Sequence, residues 1–263
     1  MSLNPQDLVL SEYMDLLEQF SIEPNFWCSV DYCSAAGWKA QKTTNWISIS
    51  DGDEFMLPTL STAVGLGSQV YPVWAMLDDP NIDYKKALKF LDYEYIYDPK
   101  SFHQMEGKSW STFRKNVRKF PKRYPEPIMY QSLDIHADVI TDLLINWLSH
   151  RPEEEEIQDF EVMQYYITRN HNRKILIDEG GKMLGINVWD SNYKYTNYRY
   201  CICDDIPFLS EYMRWLFYTD ETVHYGNKLV HDGGILDNPN LRFFKDKLNP
   251  LFVRTVNSLE ASR

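Results

Sequence analysis

The highest density of chemically active side chains lies between residues 107 and 124. Seven positive charges fall in this basic segment, and no acidic residue occurs between Glu106 and Glu126. The seven cations are Lys108, Arg114, Lys115, Arg118, Lys119, Lys122 and Arg123. Because the chain carries a formal net charge of −11, the rest of it sums to −18. The segment is therefore a local basic island in an acidic protein.

A basic segment of this kind is suited to binding an anion. Its local field opposes the repulsion that an acidic protein exerts on a phosphorylated ligand, so a phosphate can dock there. The alternative is an ordinary amphipathic helix whose cations are solvated or paired with nearby acids. Both interpretations stay open. For the first, we expect Lys108, Arg114 and Arg118 to bind the phosphates of a donor substrate.

The basic segment is predicted to be a helix. Four apolar residues recur at i, i+3, i+7 and i+10, which places them on one buried face. These residues are Trp110, Phe113, Val117 and Phe120. Ser109 or Ser111 is expected to cap the helix start. Pro121 disfavours helical geometry at the preceding residue, so the helix is predicted to end near Phe120.

Two short motifs are weaker candidates. Cys201 and Cys203 would project both sulfurs from one face of a strand, which suits a soft metal or simple core packing. Packing is favoured, because no second Cys or His pair has zinc-finger spacing, and four cysteines in 263 residues predict reduced thiols and no metal site. Gly65 and Gly67 could cradle a phosphate, although a turn is the favoured interpretation.

Length and composition limit the class of protein. A chain of 263 residues with 44% hydrophobic residues can form one large domain or two lobes of about half that size. No run of about 18 apolar residues exists, and the N-terminal residues lack the order of charges and apolar residues of a signal peptide. We therefore expect a soluble, cytoplasmic protein with no membrane association.

The pattern of elements suggests a duplication. Period-two alternation predicts hairpins over residues 46–58 and 174–189, about 130 residues apart. We therefore predict two similar α+β lobes joined through the basic helix, with residues 1–124 in one and 125–263 in the other. Further predictions are helices over 6–20, 83–91, 208–219 and 241–248, strands over 91–98, 195–203 and 251–256, and an irregular stretch or short strand over 25–38.

Two motifs resemble a known family. Gly107-Lys108, followed by Phe113-Arg-Lys-Asn-Val-Arg-Lys-Phe120 and Tyr124, is similar to the "G-K-x-x-R-x-x-I-N-x-F-x-x-x-Y" signature of proteins related to the C-terminal domain of phosphatidylglycerol lysyltransferases. Asp232-Gly233, followed by Asn240-Leu-Arg-Phe-Phe-Lys245 and Pro250, is similar to that family's second block, "D-x-G…L-R-x-x-K-x-x-x-x-P". The two motifs occur in the family's order, and the resemblance covers the chain from about Trp46.

The resemblance implies a tandem fold of the GNAT type, similar to the Fem-type aminoacyl transferases. Each lobe would then be a mixed, mostly antiparallel sheet flanked by helices. The implied activity is transfer of an activated acyl group, from coenzyme A or a tRNA 3′ end, to an amine or hydroxyl. The chain departs from single-domain acetyltransferases after Cys203, where the acidic Asp204 and Asp205 replace the glycine-rich loop that holds pyrophosphate.

The second motif supplies candidate site residues for this chemistry. Asp232 could orient or deprotonate an attacking amine, and Arg242 and Lys245, three apart on one helix face, could neutralise a phosphate or carboxylate. The structural alternative is that Asp232 caps the turn at Gly233 and Gly234 while the two cations pair with surface acids. Candidate general acids are Tyr212, Tyr218 and Tyr225.

These residues lead to one expected function and two alternatives. We expect an N-acyltransferase that moves an acetyl or aminoacyl group from acyl-CoA or aminoacyl-tRNA to an amine acceptor, with no metal cofactor. One alternative is a nucleic-acid-directed transferase that acts on an amine of a modified base through a local tRNA contact. The other is a non-catalytic protein of this fold that binds a phosphorylated ligand. The acceptor, the acyl group and the oligomeric state stay open.

Overall fold

The computed structural model describes the chain in several ranges, and the longest stretch outside them is 57–87. The described residues are 6–19, 24, 26, 29–42, 47–50, 55–56, 88–124, 128–131, 137–149, 160–169, 172–223, 228–235 and 238–259. The strands are β1 (Gln6–Leu8), β2 (Lys39–Lys42), β3 (Ile47–Ser50), β4 (Phe55–Met56), β5 (Leu88–Tyr97), β6 (Ile128–Gln131), β7 (Arg173–Asp178), β8 (Met183–Ser191), β9 (Tyr195–Cys203), β10 (Leu229–His231) and β11 (Phe252–Leu259). The helices are α1 (Leu10–Gln19), α2 (Val30–Ala35), α3 (Lys100–Gln104), α4 (Ser111–Arg123), α5 (Ala137–Ser149), α6 (Phe160–Arg169), α7 (Leu209–Thr219) and α8 (Pro239–Lys247).

Seven strands form the principal sheet, in the order β11-β5-β10-β9-β8-β7-β6. All neighbours are antiparallel except β9 and β10, which are parallel. The mixed, mostly antiparallel sheet with flanking helices confirms the predicted α+β class. β5 precedes residue 124 yet lies between β10 and β11, so this sheet combines strands from both sides of the predicted boundary. The division into lobes 1–124 and 125–263 stays a prediction.

The two predicted hairpins are present. β7 pairs with β8, and β3 pairs with β4, although the turn residues 51–54 lie outside the described residues. β3 and β4 belong to a four-stranded sheet of order β1-β2-β3-β4. Gly65 and Gly67 also lie outside the described residues. Within the ranges that the structure describes, no helix is both long enough and apolar enough to traverse a lipid bilayer.

Each face of the seven-stranded sheet has its own core. One face, called here the aromatic face, carries α3, α4, α7 and α8 and is filled with rings. Its buried residues include Tyr95, Tyr97, Phe102, Trp110, Tyr198, Phe217 and Tyr218. The opposite, aliphatic face carries α2, α5 and α6. Its buried residues include Ile140, Leu144, Ile167, Ile175, Ile186, Val188 and Ile202.

The basic helix forms with its predicted apolar face, but both predicted ends were wrong. No serine caps the start, because Trp110 is the N-cap residue without a side-chain bond and Ser109 accepts a hydrogen bond from Asn249. The helix continues past Pro121 to Arg123. Phe120 stays helical because its ring is fully buried and its carbonyl accepts the Tyr124 N–H at 2.8 Å. This packing overrides the bias that proline imposes on the residue before it.

Three other predictions need correction. Leu88 and Leu91, predicted as helical, lie in β5, because this strand pairs with β11 along its length. Residues 6–8 form β1 rather than the start of a helix, since they pair with β2. The stretch predicted as irregular contains α2, whose N-cap Ser29 accepts the Tyr32 N–H. The first two predictions failed because strand pairing with distant residues overrode the local pattern. The third failed because the N-cap at Ser29 was not recognised.

Candidate functional site

The parallel strands β9 and β10 diverge within the sheet, next to its aromatic face. β10 pairs with β9 over three residues only, from Leu229 to His231, whereas β9 continues to Cys203. After His231 the chain follows β5 instead, since the Asp232 N–H donates to Tyr95 O at 2.9 Å. Among the described residues, no strand pairs with this edge of β9 over residues 198–203. We call this region the β9–β10 opening.

A bulge in β9 decides which side chains face the opening. Consecutive residues Val188 and Trp189 of β8 oppose Tyr200 and Tyr198, so Arg199 is the extra residue. Tyr198 then points to the aromatic face, while Arg199 points to the aliphatic face. Bulges commonly re-aim side chains beside functional sites.

Asp232, the first residue after β10, is surrounded by donors. The Tyr218 hydroxyl donates to Asp232 Oδ2 at 2.8 Å, and Arg214 forms an ion pair with the same oxygen. The Lys245 ammonium lies 3.5 Å from Oδ1. Burial raises the pKa of Tyr218, with Arg214 opposing, so this hydroxyl stays protonated. Asp232 is thus an acceptor held by two donors, Arg214 and Tyr218, with the Lys245 cation near its other oxygen.

Lys245 acts as a clamp on the loop that carries Asp232. Its side chain is 4% exposed, and its ammonium donates to the carbonyl oxygens of Asp232, Gly233 and Gly234, the last at 2.7 Å. Three acceptors match the three N–H donors of an ammonium group. The spacing between Asp232 and Lys245 in the second motif therefore has a structural explanation, because the lysine on α8 reaches back to fix the loop after β10.

Arg214 connects the two sides of the opening. Its guanidinium pairs with Asp232 and lies 5.1 Å from the Tyr198 ring centroid and 5.3 Å from that of Phe244. The side chain is 12% exposed, so it is within reach of a ligand. Sequence reasoning missed this residue. The available signal was its position four residues before Tyr218 on a predicted helix, since i and i+4 share one face.

The thiols of Cys201 and Cys203 lie on β9, beside the β9–β10 opening. Both cysteines project to the aromatic face, as their spacing predicts. The hydrogen bond with the Cys203 thiol, opposed by burial and helped by Tyr198 and Arg214, lowers the pKa of Cys201 below that of an ordinary thiol. Within the described part of the chain, no group of three or more His, Cys, Asp or Glu side chains is placed to hold a metal ion.

The structure brings together only part of the predicted site. Asp232 and Lys245 meet, as described above. Arg242 points elsewhere, with its Nε 3.9 Å from Asp246 Oδ2, its guanidinium over the Tyr93 ring and half of its side chain exposed. Tyr218 joins the cluster, whereas Tyr225 lies outside the described residues. The catalytic role of Asp232 and the phosphate-binding roles of Arg242 and Lys245 stay predictions.

The basic face of α4 is exposed to solvent. Lys108, Lys115, Arg118 and Lys122 are exposed, while Arg114 donates to the Met105 carbonyl. Lys119 and Arg123 lie over the Phe208 ring at 4.6 and 5.2 Å. No acidic side chain in the described ranges forms an ion pair with any of the seven cations. Pairing with nearby acids therefore does not account for this surface.

Solved structures share this fold. A conserved protein of unknown function from Bacteroides thetaiotaomicron is 15% identical, with a TM-score of 0.64, and the match covers 98% of this chain and 100% of that one. The C-terminal DUF2156 domain of a putative lysylphosphatidylglycerol synthetase from Agrobacterium fabrum is 12% identical, with a TM-score of 0.58 and coverage of 94% and 91%. L-PGS from Bacillus licheniformis is 13% identical, with a TM-score of 0.50 and coverage of 66% and 62%.

By sequence, no protein-family profile and no curated protein matches the chain. At the identities given above, the structural matches establish the fold and nothing finer. The resemblance noted from the two motifs is thus confirmed at this level: the chain has the fold of the C-terminal domain of lysylphosphatidylglycerol synthetases.

Proposed function

We propose that the protein is an acyltransferase that moves an acetyl or aminoacyl group from acyl-CoA or aminoacyl-tRNA to an amine. The observation that carries the proposal is the separation of β9 and β10 beside a largely buried arginine, within a fold shared with a putative lysylphosphatidylglycerol synthetase domain. An activated acyl group and an amine need positioning and charge stabilisation more than elaborate acid–base machinery.

The edge of β9 would hold the donor. From residue 198 to 203 the backbone groups of β9 that do not pair with β8 face the β9–β10 opening without a described strand beside them. Such groups pair readily with an extended ligand, because a strand edge presents a row of unsatisfied N–H and C=O groups. A donor with amide groups along its arm, or an extended aminoacyl end, fits this edge.

Arg214 would then stabilise the reacting carbonyl. The amine nitrogen forms a bond to the acyl carbon, the bond from that carbon to the donor's sulfur or oxygen breaks, and the proton lost by the amine ends on the leaving group. Negative charge develops on the carbonyl oxygen in between, and a fixed guanidinium is suited to meet it. Asp232 contributes by orienting Arg214, since its Oδ2 accepts from both Arg214 and the Tyr218 hydroxyl.

The basic helix would bind the phosphates of the donor. Lys115, Arg118 and Lys122 recur at i, i+3 and i+7 and are all exposed, so they share one solvent face. From Arg114 to Arg123 the cations of α4 extend over about 14 Å at the helical rise of about 1.5 Å per residue. A CoA phosphate group would use part of this length, and a polynucleotide would use most of it.

Thermal unfolding with candidate donors tests the proposal. The wild type, the Arg118→Ala/Lys122→Ala double variant and the control Lys247→Ala are each melted with CoA, acetyl-CoA or a mixed aminoacyl-tRNA pool. Lys247 is a suitable control because it is an exposed lysine on α8, over the Phe243 ring. We expect stabilisation that the double variant loses and the control keeps. No stabilisation by any donor would refute an acyltransferase of this kind.

Salt dependence separates the two donors. Release of counterions from a polynucleotide makes affinity fall steeply with salt, whereas a few phosphates give a shallow slope. Repeating the measurement at several salt concentrations therefore identifies the donor class. A tRNA response with a modified-base acceptor would favour the nucleic-acid-directed alternative.

The unpaired cations of α4 also support a second candidate function, a binding protein without turnover. In that case a phosphorylated ligand would bind to the basic face, while Asp232, held by Arg214 and Tyr218, would have a purely structural role. Wild type and Asp232→Asn would then bind donor equally and neither would transfer an acyl group to any amine. Acyl transfer by the wild type would exclude this candidate.

A further inference from the structure

We propose that Phe26 is a positioning residue that fixes the Asp232 loop from the opposite face of the sheet. The proposal rests on the proposed function only in treating that loop as part of the site. Phe26 belongs to an N-terminal strap, defined here as Pro24, Phe26 and residues 29–35, which crosses the aliphatic face.

Two buried anchors hold the strap. In the first, the Phe26 N–H donates to Glu94 Oε1 at 3.2 Å, while Arg254 donates to Glu94 Oε2 at 2.8 Å and to the Pro24 carbonyl at 3.0 Å. In the second, Ser29 donates to Asp190, which also pairs with Arg199. Because these partners come from β5, β8, β9 and β11, the strap is tied to the sheet itself.

The Phe26 ring lies against the residues that lead into the loop. Its centroid is 5.1 Å from that of the His231 imidazole, edge to face, and the Arg199 guanidinium lies 4.4 Å from it. At Gly233 a Cβ would come within 3.1 Å of ring carbons, and φ is +59°. The ring therefore covers a backbone position that accepts only glycine comfortably.

Adjacent residues of one strand connect the two faces. His231 faces the strap, and Asp232 faces the aromatic cluster, as alternation along a strand requires. Gly233 is the next residue. Phe26 lies on one side of it, and on the other side the Gly233 carbonyl oxygen is 3.4 Å from the Lys245 ammonium. The His231 imidazole is held by this ring packing and by Glu94, whose Oε2 lies 3.1 Å from Nε2.

It follows that the direction of the Asp232 carboxylate depends on Phe26. A smaller side chain at position 26 removes the ring that covers Gly233. The loop can then turn away from Lys245. The Arg214–Asp232 pair should respond, although Arg214 lies on the far side of the sheet from the strap.

The side-chain Nε–H resonance of Arg214 in a ¹H–¹⁵N spectrum tests this without any ligand. The resonance is assigned by its loss in Arg214→Lys, and Asp232→Asn marks its position when the pair is broken. The variants are Phe26→Leu and, where it folds, Phe26→Ala. The matched control is Tyr32→Leu, a strap residue whose ring also lies on Arg199, at 4.5 Å.

We expect Phe26→Leu to move the Arg214 resonance toward its position in Asp232→Asn, and Tyr32→Leu to lower the melting temperature without moving it. An unmoved resonance in Phe26→Leu, with a loss of melting temperature like that of the control, would overturn the inference. Donor binding is measured separately, so a protein that binds no donor but shows the shift refutes the proposed function alone.

Discussion

Two buried ionic clusters lie back to back across β10, and they differ in what they hold. On the aromatic face, Asp232 pairs with Arg214 and lies beside Lys245. On the aliphatic face, Glu94 pairs with Arg254 and lies 3.1 Å from His231. Both carboxylates are about 5% exposed, yet Arg214 is 12% exposed at the β9–β10 opening, whereas the imidazole of His231 is fully buried.

The comparison shows two uses of a buried carboxylate. Glu94 joins segments that are far apart in sequence, since its partners belong to the strap, β10 and β11. Asp232 joins elements that are close in sequence, α7, β10 and α8, and leaves one cation within reach of a ligand. The closed cluster is suited to tying the chain together, and the open one is suited to chemistry.

The largest expected loss of stability comes from breaking the closed cluster around Glu94. Arg254→Met leaves Glu94 buried without its cation, and breaking such a pair costs about 3–5 kcal/mol of unfolding free energy. Urea denaturation measures it. Arg242→Met, which loses an exposed pair, is the control and should cost less than about 1 kcal/mol. Equal losses in the two variants would contradict the difference between closed and exposed pairs.

Acid should weaken the closed cluster next. Burial raises the pKa of Glu94. His231, Arg254 and the Phe26 N–H together lower it by more, from 4.5 to about 2. The resulting stability, about 3 kcal/mol, is present above pH 4.5 and is lost as the pH falls toward 2. Burial also lowers the pKa of His231 below 6.5, so stability should begin to fall below that pH.

Denaturation curves from pH 7 to pH 2 measure this dependence. Glu94→Gln removes the titrating group, so its curve should be flatter than that of the wild type between pH 4.5 and 2. Parallel curves would show that other carboxylates dominate the acid response.

The open cluster should affect rate more than stability. Arg214→Lys keeps a charge beside Asp232 but loses the planar guanidinium, so unfolding free energy should fall less than in Arg254→Met, where the buried carboxylate loses its cation. Loss of one preorganised donor commonly lowers kcat by about 10²-fold, and we expect that for acyl transfer. Steady-state kinetics with the donor found by thermal shift measures it. A full rate in Arg214→Lys would remove this residue from the mechanism.

The smallest stability effect is expected on the basic face of α4. Arg118→Ala with Lys122→Ala removes two exposed, unpaired cations, so thermal unfolding without ligand should be nearly unchanged, within about 0.5 kcal/mol. Phe113→Ala on the buried face of the same helix should cost about 3–5 kcal/mol. A marked loss in the double variant would mean that the charged face supports the fold.

Local periodicity accounts for what was predicted correctly. The apolar stripe through Trp110, Phe113 and Val117 identified α4, and alternation identified the hairpin of β7 and β8. The resemblance of the second motif singled out Asp232 and Lys245 for separate roles, and their contact was not predicted. Short-range geometry of this kind is set by the chain itself, because helices and strands have fixed periods.

Contacts across long separations could not be predicted in this way. Leu88 and Leu91 fit a helical pattern, but β5 is a strand because β11, about 160 residues later, pairs with it. Glu94 was not singled out, since its partners Phe26 and Arg254 are 68 and 160 residues away. A one-dimensional pattern holds no record of such neighbours, which is why propensity yields to tertiary pairing.

The sequence by itself determined the class of elements, the α+β pattern and the two faces of the basic helix, because each depends on residues a few turns apart. Only the tertiary structure decided that Lys245 clamps a loop, that Arg214 meets Asp232 at the β9–β10 opening and that Phe26 lies behind Gly233. Those outcomes depend on where strands part and which faces meet, and sheet order is fixed by burial and hydrogen bonding over the whole chain.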